Sequence, residues 1–142
     1  MATVNLEIVT PNKKVYSENI GMAIVRSTGG ELGILPKHAP LVTGILPHAM
    51  RVEKEDSSEE LIAVCGGFME VKPDKITVLA SAAELPINID VNRAKKAYDR
   101  AKERLDILQK SQEEHKNIDF VRAQAALERA KARLKATKNP ID

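Results

Sequence analysis

Arg93, Arg100 and Arg104 stand seven and four residues apart, and Arg122, Arg129 and Arg133 repeat that spacing. On a helix, those intervals return to nearly the same face. A guanidinium carries a planar fork of donors that matches the oxygens of a phosphate or carboxylate. Two such rows side by side would make an anion site. Held apart, they are solvated flanks of little energetic weight. An Asp precedes each row by three residues, in Ile89-Asp90-Val91-Asn92-Arg93-Ala94 and Ile118-Asp119-Phe120-Val121-Arg122-Ala123. Asp at a helix start is an N-cap, its carboxylate accepting from the first free amides. Arg three residues later opposes the helix dipole at about 0.3–1 kcal/mol, where Glu would complete a capping box. A local ion pair with the Asp is the alternative reading, above all for Arg122.

The elements that must position these rows follow from an apolar stripe. Ala94, Tyr98, Ala101, Leu105 and Leu108 are spaced by four and three, as are Phe120, Ala123, Leu127, Ala130 and Leu134. Each set predicts an amphipathic helix, over about 91–112 and 119–137. A shift of 29 residues superposes the two, taking Ile89 to Ile118 and Leu105 to Leu134. The segment near Gln112 to Asn117 has no stripe and serves as the joint, so the helices pack antiparallel. With the stripe at heptad positions a and d, the arginines fall at c and g, on one flank. All six then line the same side of the hairpin. Arg93 should meet Arg133 near its base, and Arg100 should meet Arg129. Glu103, Glu128 and Asp99 are placed to neutralise part of that charge.

The first half has a different period. Val4, Leu6 and Ile8 alternate with Asn5 and Glu7, as in a half-buried strand. Short apolar runs recur between Pro11-Asn12, Asp56-Ser57-Ser58, Gly66-Gly67 and Pro73-Asp74, which predicts a sandwich or barrel. Gly29 to Pro47, rich in Gly and Pro, reads as a structured loop with at most short strands. Ile34, Leu35 and Leu41 there either cap the sandwich, the preferred reading, or dock a partner. The domains are therefore 1–86, a β-domain, and 87–142, a helical hairpin.

Composition excludes several classes. The net charge of +2 hides an asymmetry. Residues 1–90 hold 8 basic and 12 acidic side chains, net −4, and residues 91–142 hold 14 and 8, net +6. A basic tail on an acidic body suits an anionic partner. No apolar run approaches the roughly 20 residues of a membrane helix, so no membrane insertion is expected. The N-terminus lacks signal-peptide features, which points to the cytoplasm. Cys65 is single and sits in an apolar run, as a small hydrophobe. His38, His48 and His115 are scattered, so no metal site is expected. Gly29-Gly30-Glu31-Leu32-Gly33 lacks the Lys of a phosphate loop, and no nucleophile–base set stands out. A nucleotide held here would be bound and not hydrolysed. Nucleic acid is not expected as a partner, because the basic helices lack interleaved aromatics and the body is acidic; retention on a heparin or DNA column would revive that reading.

Val9-Thr10-Pro11, the run from Gly30 to Leu41 (GELGILPKHAPL), Gly66-Gly67-Phe68-Met69-Glu70-Val71 and Asp90-Val91-Asn92-Arg93-Ala94 resemble the epsilon subunit of bacterial rotary ATP synthases. The resemblance covers nearly the whole chain. It implies a flattened β-sandwich of about ten strands followed by the two-helix hairpin. It implies a non-catalytic subunit at the foot of the central stalk, on the cytoplasmic face of the membrane. Its partners there would be the gamma subunit and the rotor c-ring, with Glu31 and His38 in the segment facing that ring. The helices would either fold against the sandwich or extend along gamma, and the extended form blocks ATP hydrolysis. Their basic residues then face acidic segments of the catalytic head. In some members the folded hairpin binds ATP as a regulatory ligand, and no cofactor is required. Ile89, Asp90, Arg93 and Ala94 match that motif, Arg100, Arg129 and Arg133 match its supporting arginines, and Glu84 matches an acidic residue before it. Two features depart from the family: a longer joint between the helices, and the less polar lead-in Leu85-Pro86-Ile87-Asn88. The rival function is a purely structural coupling subunit with no nucleotide site.

Overall fold

The computed structural model describes residues 2–110 and 116–138, with side chains of the second segment from 119 onward. Residues 112–115 of the expected joint, His115 included, lie outside the described residues. The strands are β1 (Val4–Val9), β2 (Lys14–Ser27), β3 (Gly30–Ile34), β4 (Leu41–Lys54), β5 (Glu59–Lys72), β6 (Lys75–Ala80) and β7 (Ala83–Glu84). They lie in the order β1-β6-β5-β4-β2-β3, β7 pairs with β5, and β1 also pairs with β2, so the sheet closes on itself. The β1–β6 pair is parallel. Alternation does what the sequence promised: Val4, Leu6 and Ile8 are buried, and with Ile20, Met50, Ile62, Met69 and Ile76 they fill the sandwich.

The described residues form seven strands, where about ten were expected. The reason is length. β2, β4 and β5 run 14 residues each, beyond the usual range, and change partners along the way. β2 pairs with β1 through Lys14–Ile20 and with β3 through Ala23–Ser27. Residues that read as strand ends are bends inside these strands: Gly44 and Pro47 in β4, Gly66 and Gly67 in β5. The loop expected over Gly29–Pro47 is therefore largely strand. Of its apolar residues, Ile34 is buried and Leu35 exposed, while Leu41 is partly buried against the core.

Gly67 marks the tightest bend. Its φ is +146°, and a Cβ there would lie 2.0 Å from the Leu79 carbonyl oxygen on β6. Backbone cannot yield as a flexible side chain would. Gly67→Ala is expected to destabilise the sandwich by about 3 kcal/mol or more, read as a lower denaturant midpoint. A midpoint within error of the parent would refute the close-approach argument.

A short 3-10 turn (Pro86–Asn88) leads into α1 (Val91–Lys110) and α2 (Lys116–Ala136). Asp90 caps α1 as expected, accepting from the Arg93 N–H at 3.0 Å. Asp119 does not cap α2. The helix begins at Lys116, which leaves Asp119 in the first turn, where its charge suits the dipole. The seam forms from the expected residues: Ala94, Tyr98, Ala101 and Leu105 against Ala123, Leu127, Ala130 and Leu134, with Leu108 and Phe120 at its edge. α2 also packs on β4 and β5. Ala132 and Ala136, one turn apart, join Ala49, Leu61 and Ala63 of the sheet in the same cluster. The hairpin is thus docked through α2, largely by alanines. Each buried methyl contributes only about 0.8 kcal/mol, so this contact is shallow.

Candidate functional site

The two helices leave a groove of about 340 Å³ along one flank. α1 supplies Ala97, Arg100, Ala101 and Arg104, and α2 supplies Ala123, Ala126 and three arginines: Arg122, Arg129 and Arg133. Its lining is arginine and alanine alone. The seam alanines let the helices approach closely and bring the guanidiniums of both rows to one opening. Toward the hairpin tip it continues into a depression of about 540 Å³, where Glu103 and Asp119 join Arg100, Arg104 and Arg122. Glu103 and Asp119 thus stand at the tip, and the groove lining itself carries no carboxylate. Volumes of this size suit a small ligand.

The flank predicted from the heptad register is therefore real, with one exception. Arg93 is exposed and outside the lining. On α1 the groove lining begins at Ala97, a turn beyond Arg93. Arg133 does not meet Arg93 either. Its Nε donates to Glu84 Oε1 on β7 at 2.6 Å, which latches the hairpin base to the sandwich. Glu84 and Arg133, both expected at the site, are thus together. Arg100 and Arg129 share the groove as expected. Ile89 and Ala94 are buried in the helical core, and Asp90 is the exposed cap. Together these three fix where α1 starts. Arg104 and Arg122 line the groove although the family motif does not include them. Their seven-and-four spacing was the available signal.

Among the described residues, no ion pair holds Arg100, Arg104, Arg122 or Arg129. Glu128 is engaged by Lys131 at 3.5 Å and by Gln124 at 3.0 Å, both on α2. The groove's positive charge is therefore open to an anion. Cys65 lies close behind the latch. Burial pushes its thiol up, against the pull of the nearby Arg133 guanidinium. Glu31 and His38 are not placed together. Glu31 is exposed near the start of β3 and lines a separate cleft under α2, whereas His38 lies in the turn beyond the far end of that strand. Among the described residues, no group of three His, Cys, Asp or Glu is placed to hold a metal ion.

Sandwich and hairpin each match a family model. Residues 3–86 match the beta-sandwich domain of the ATP synthase delta/epsilon chain, and residues 88–138 match its long alpha-helix domain. The chain belongs to the ATP synthase delta/epsilon chain family. An ATP synthase epsilon chain of Alkalihalophilus pseudofirmus is 53% identical over 106 residues, covering 75% of this chain and 79% of that one. One from Halalkalibacterium halodurans is 50% identical over 105 residues, covering 74% and 78%. Among solved structures, a chain of the Euglena gracilis mitochondrial ATP synthase superposes with a TM-score of 0.77 at 22% identity. It covers 98% of this chain and 83% of its own, and shows the shared fold. None of the described helices is long and apolar enough to cross a membrane.

Proposed function

We propose that this chain is the epsilon subunit at the foot of the central stalk of a proton-translocating ATP synthase. It sits peripherally on the cytoplasmic face of the membrane, between the gamma subunit and the c-ring. It is non-catalytic and regulatory. The docked hairpin is its resting form; the extended form carries the basic helices toward acidic segments of the catalytic head and inhibits hydrolysis. ATP bound in the arginine groove holds the hairpin docked. The observation that carries this reading is the groove's lining of five arginines and four alanines, contributed by both helices. A polyphosphate bridging them requires both helices to be folded together. The lining has no carboxylate, imidazole or hydroxyl to activate water, so ATP there is held intact.

The sandwich offers a second surface. Phe68 pairs across the ladders with Leu79 and Gly44, and Val42 lies two residues from Gly44, so all three apolar side chains share one face. Val42, Phe68 and Leu79 are 70%, 64% and 57% exposed. A contiguous apolar patch of this kind marks a protein contact, and gamma is the partner the family offers. Phe68→Glu is expected to abolish co-purification with gamma while the isolated chain melts as before. Retained co-purification would move the gamma contact elsewhere. The reading as a whole is tested by adding the chain to ATP synthase stripped of its own epsilon subunit. Restored proton-coupled synthesis supports it, and no change in synthesis or hydrolysis would sink it.

A further inference from the structure

His48 lies on β4 beneath α2, and both of its ring nitrogens are committed. The β2–β4 ladder shifts register between Ile24 and Ser27. At that break the backbone N–H of Arg26 donates to His48 Nε2 at 3.2 Å. A backbone N–H can only donate, so Nε2 bears no proton. The single ring proton is on Nδ1, which donates to the Leu46 carbonyl at 2.6 Å. The neutral imidazole therefore ties the two strands together where the sheet receives the hairpin.

The ring is buried, at 8% exposed. It borders a cleft of about 590 Å³ between sheet and helix. The charged groups facing it from the sheet are Arg26 on β2, Glu31 on β3, Arg51 on β4 and Glu59 on β5. α2 contributes Glu128, Lys131 and Lys135. Burial holds the imidazole below its ordinary value; the Leu46 carbonyl and Glu31 favour the proton, while Arg26 and Lys135 oppose it. The hairpin brings cover from water and the Lys135 charge, which disfavour protonation, while the Glu128 carboxylate of α2 is engaged by Gln124 and Lys131 of its own helix.

We propose that His48 makes docking of the hairpin proton-linked: a proton on Nε2 breaks the tie to Arg26, sets a cation under Lys135 and releases α2 from the sheet. This rests on the reading that the hairpin moves between docked and extended forms. The docked form has the lower His48 affinity for protons and so binds fewer than the released form. Docking is therefore fully favoured above the ordinary histidine value, about 6.5. It is lost as the pH falls from there toward the depressed docked value, by up to about tenfold in the docking constant per pH unit. The subunit would then respond to acid as well as to nucleotide.

The test uses the full chain in a Cys65→Ala background, with nitroxides on cysteines replacing Asp106 on α1 and Glu55 at the β4–β5 turn. The distance between them is measured from pH 8 to pH 5. The released population is expected to grow below about pH 6.5 in the parent. It should stay flat in His48→Gln, whose amide can accept from Arg26 and donate to Leu46 without titrating; His48→Asn serves if that variant does not fold. The same pH profile in parent and variant overturns the proposal. So does acid-tightened docking, which would mean that the imidazolium pairs with Glu128. Mobility itself is read from Arg133→Ala at pH 8, where the latch to Glu84 is gone. Release there but none in acid defeats the His48 proposal alone; release in neither defeats the mobile hairpin as well.

Discussion

An ATP synthase assembled with this chain cut after Asp90 is expected to hydrolyse ATP several-fold faster than one assembled with the full chain, while the complex stays intact. The expectation rests on two separate apolar clusters. The sandwich core, around Leu6, Ile20, Met50, Ile62 and Ile76, contains no residue of α1 or α2. Among the described residues, the helical cluster takes in Ala49, Leu61 and Ala63 of the sheet. Removing both helices therefore strips a small, mostly alanine surface and one latch from a domain that keeps its own core. The Phe68 face remains available to gamma. What is lost is the basic segment, net +6 beyond Asp90, that would meet the catalytic head. Phosphate release from the two assemblies decides the matter. Slower hydrolysis, or loss of proton coupling, would favour a purely structural hairpin.

The second large effect is expected at Arg129. It is half-buried in the groove, makes no ion pair among the described residues, and faces Arg100 and Arg104 across the seam. A charge-assisted hydrogen bond to phosphate is worth about 1.5–3 kcal/mol, so Arg129→Ala should weaken ATP binding by roughly 10- to 150-fold. Arg93→Ala should do much less. Arg93 is exposed outside the groove, and the part of it that the fold uses is its backbone N–H on Asp90. The two variants measured side by side separate geometry from motif. A larger loss at Arg93 would mean that its side chain swings into the site on binding, and that the motif reading outranks the groove seen here.

That contrast also shows how far the sequence could be read. The hairpin, its seam and the common flank of the arginines were legible because helix periodicity and heptad position fix direction, and alanines at a and d leave no ambiguity. Heptad position fixes the flank on which Arg93 stands but not how far a groove runs along it, and the lining begins a turn beyond, at Ala97. The start of α2 was hidden for a related reason. Asp119 looks like a cap, but Asp is equally at home in a first turn, and the helix starts earlier. The docking face was there to be seen in Ala132 and Ala136, which lie off the seam. Alanine is too common in helices to announce a second contact. The strand count failed because Gly and Pro read as ends when the chain merely bends. His48 carried no signal at all, since its role depends on a register break between two strands distant in sequence.

A calorimetric titration of the full chain with ATP tests the central claim, that the docked hairpin is a nucleotide-held element. The groove predicts saturable heat and a higher melting midpoint. ATP at 100 times its Kd would stabilise the docked form by about 2.7 kcal/mol. No phosphate should be released, and heat should be lost in Arg129→Ala. An absence of heat and of stabilisation at millimolar ATP, or an equal response in Arg129→Ala, would contradict it.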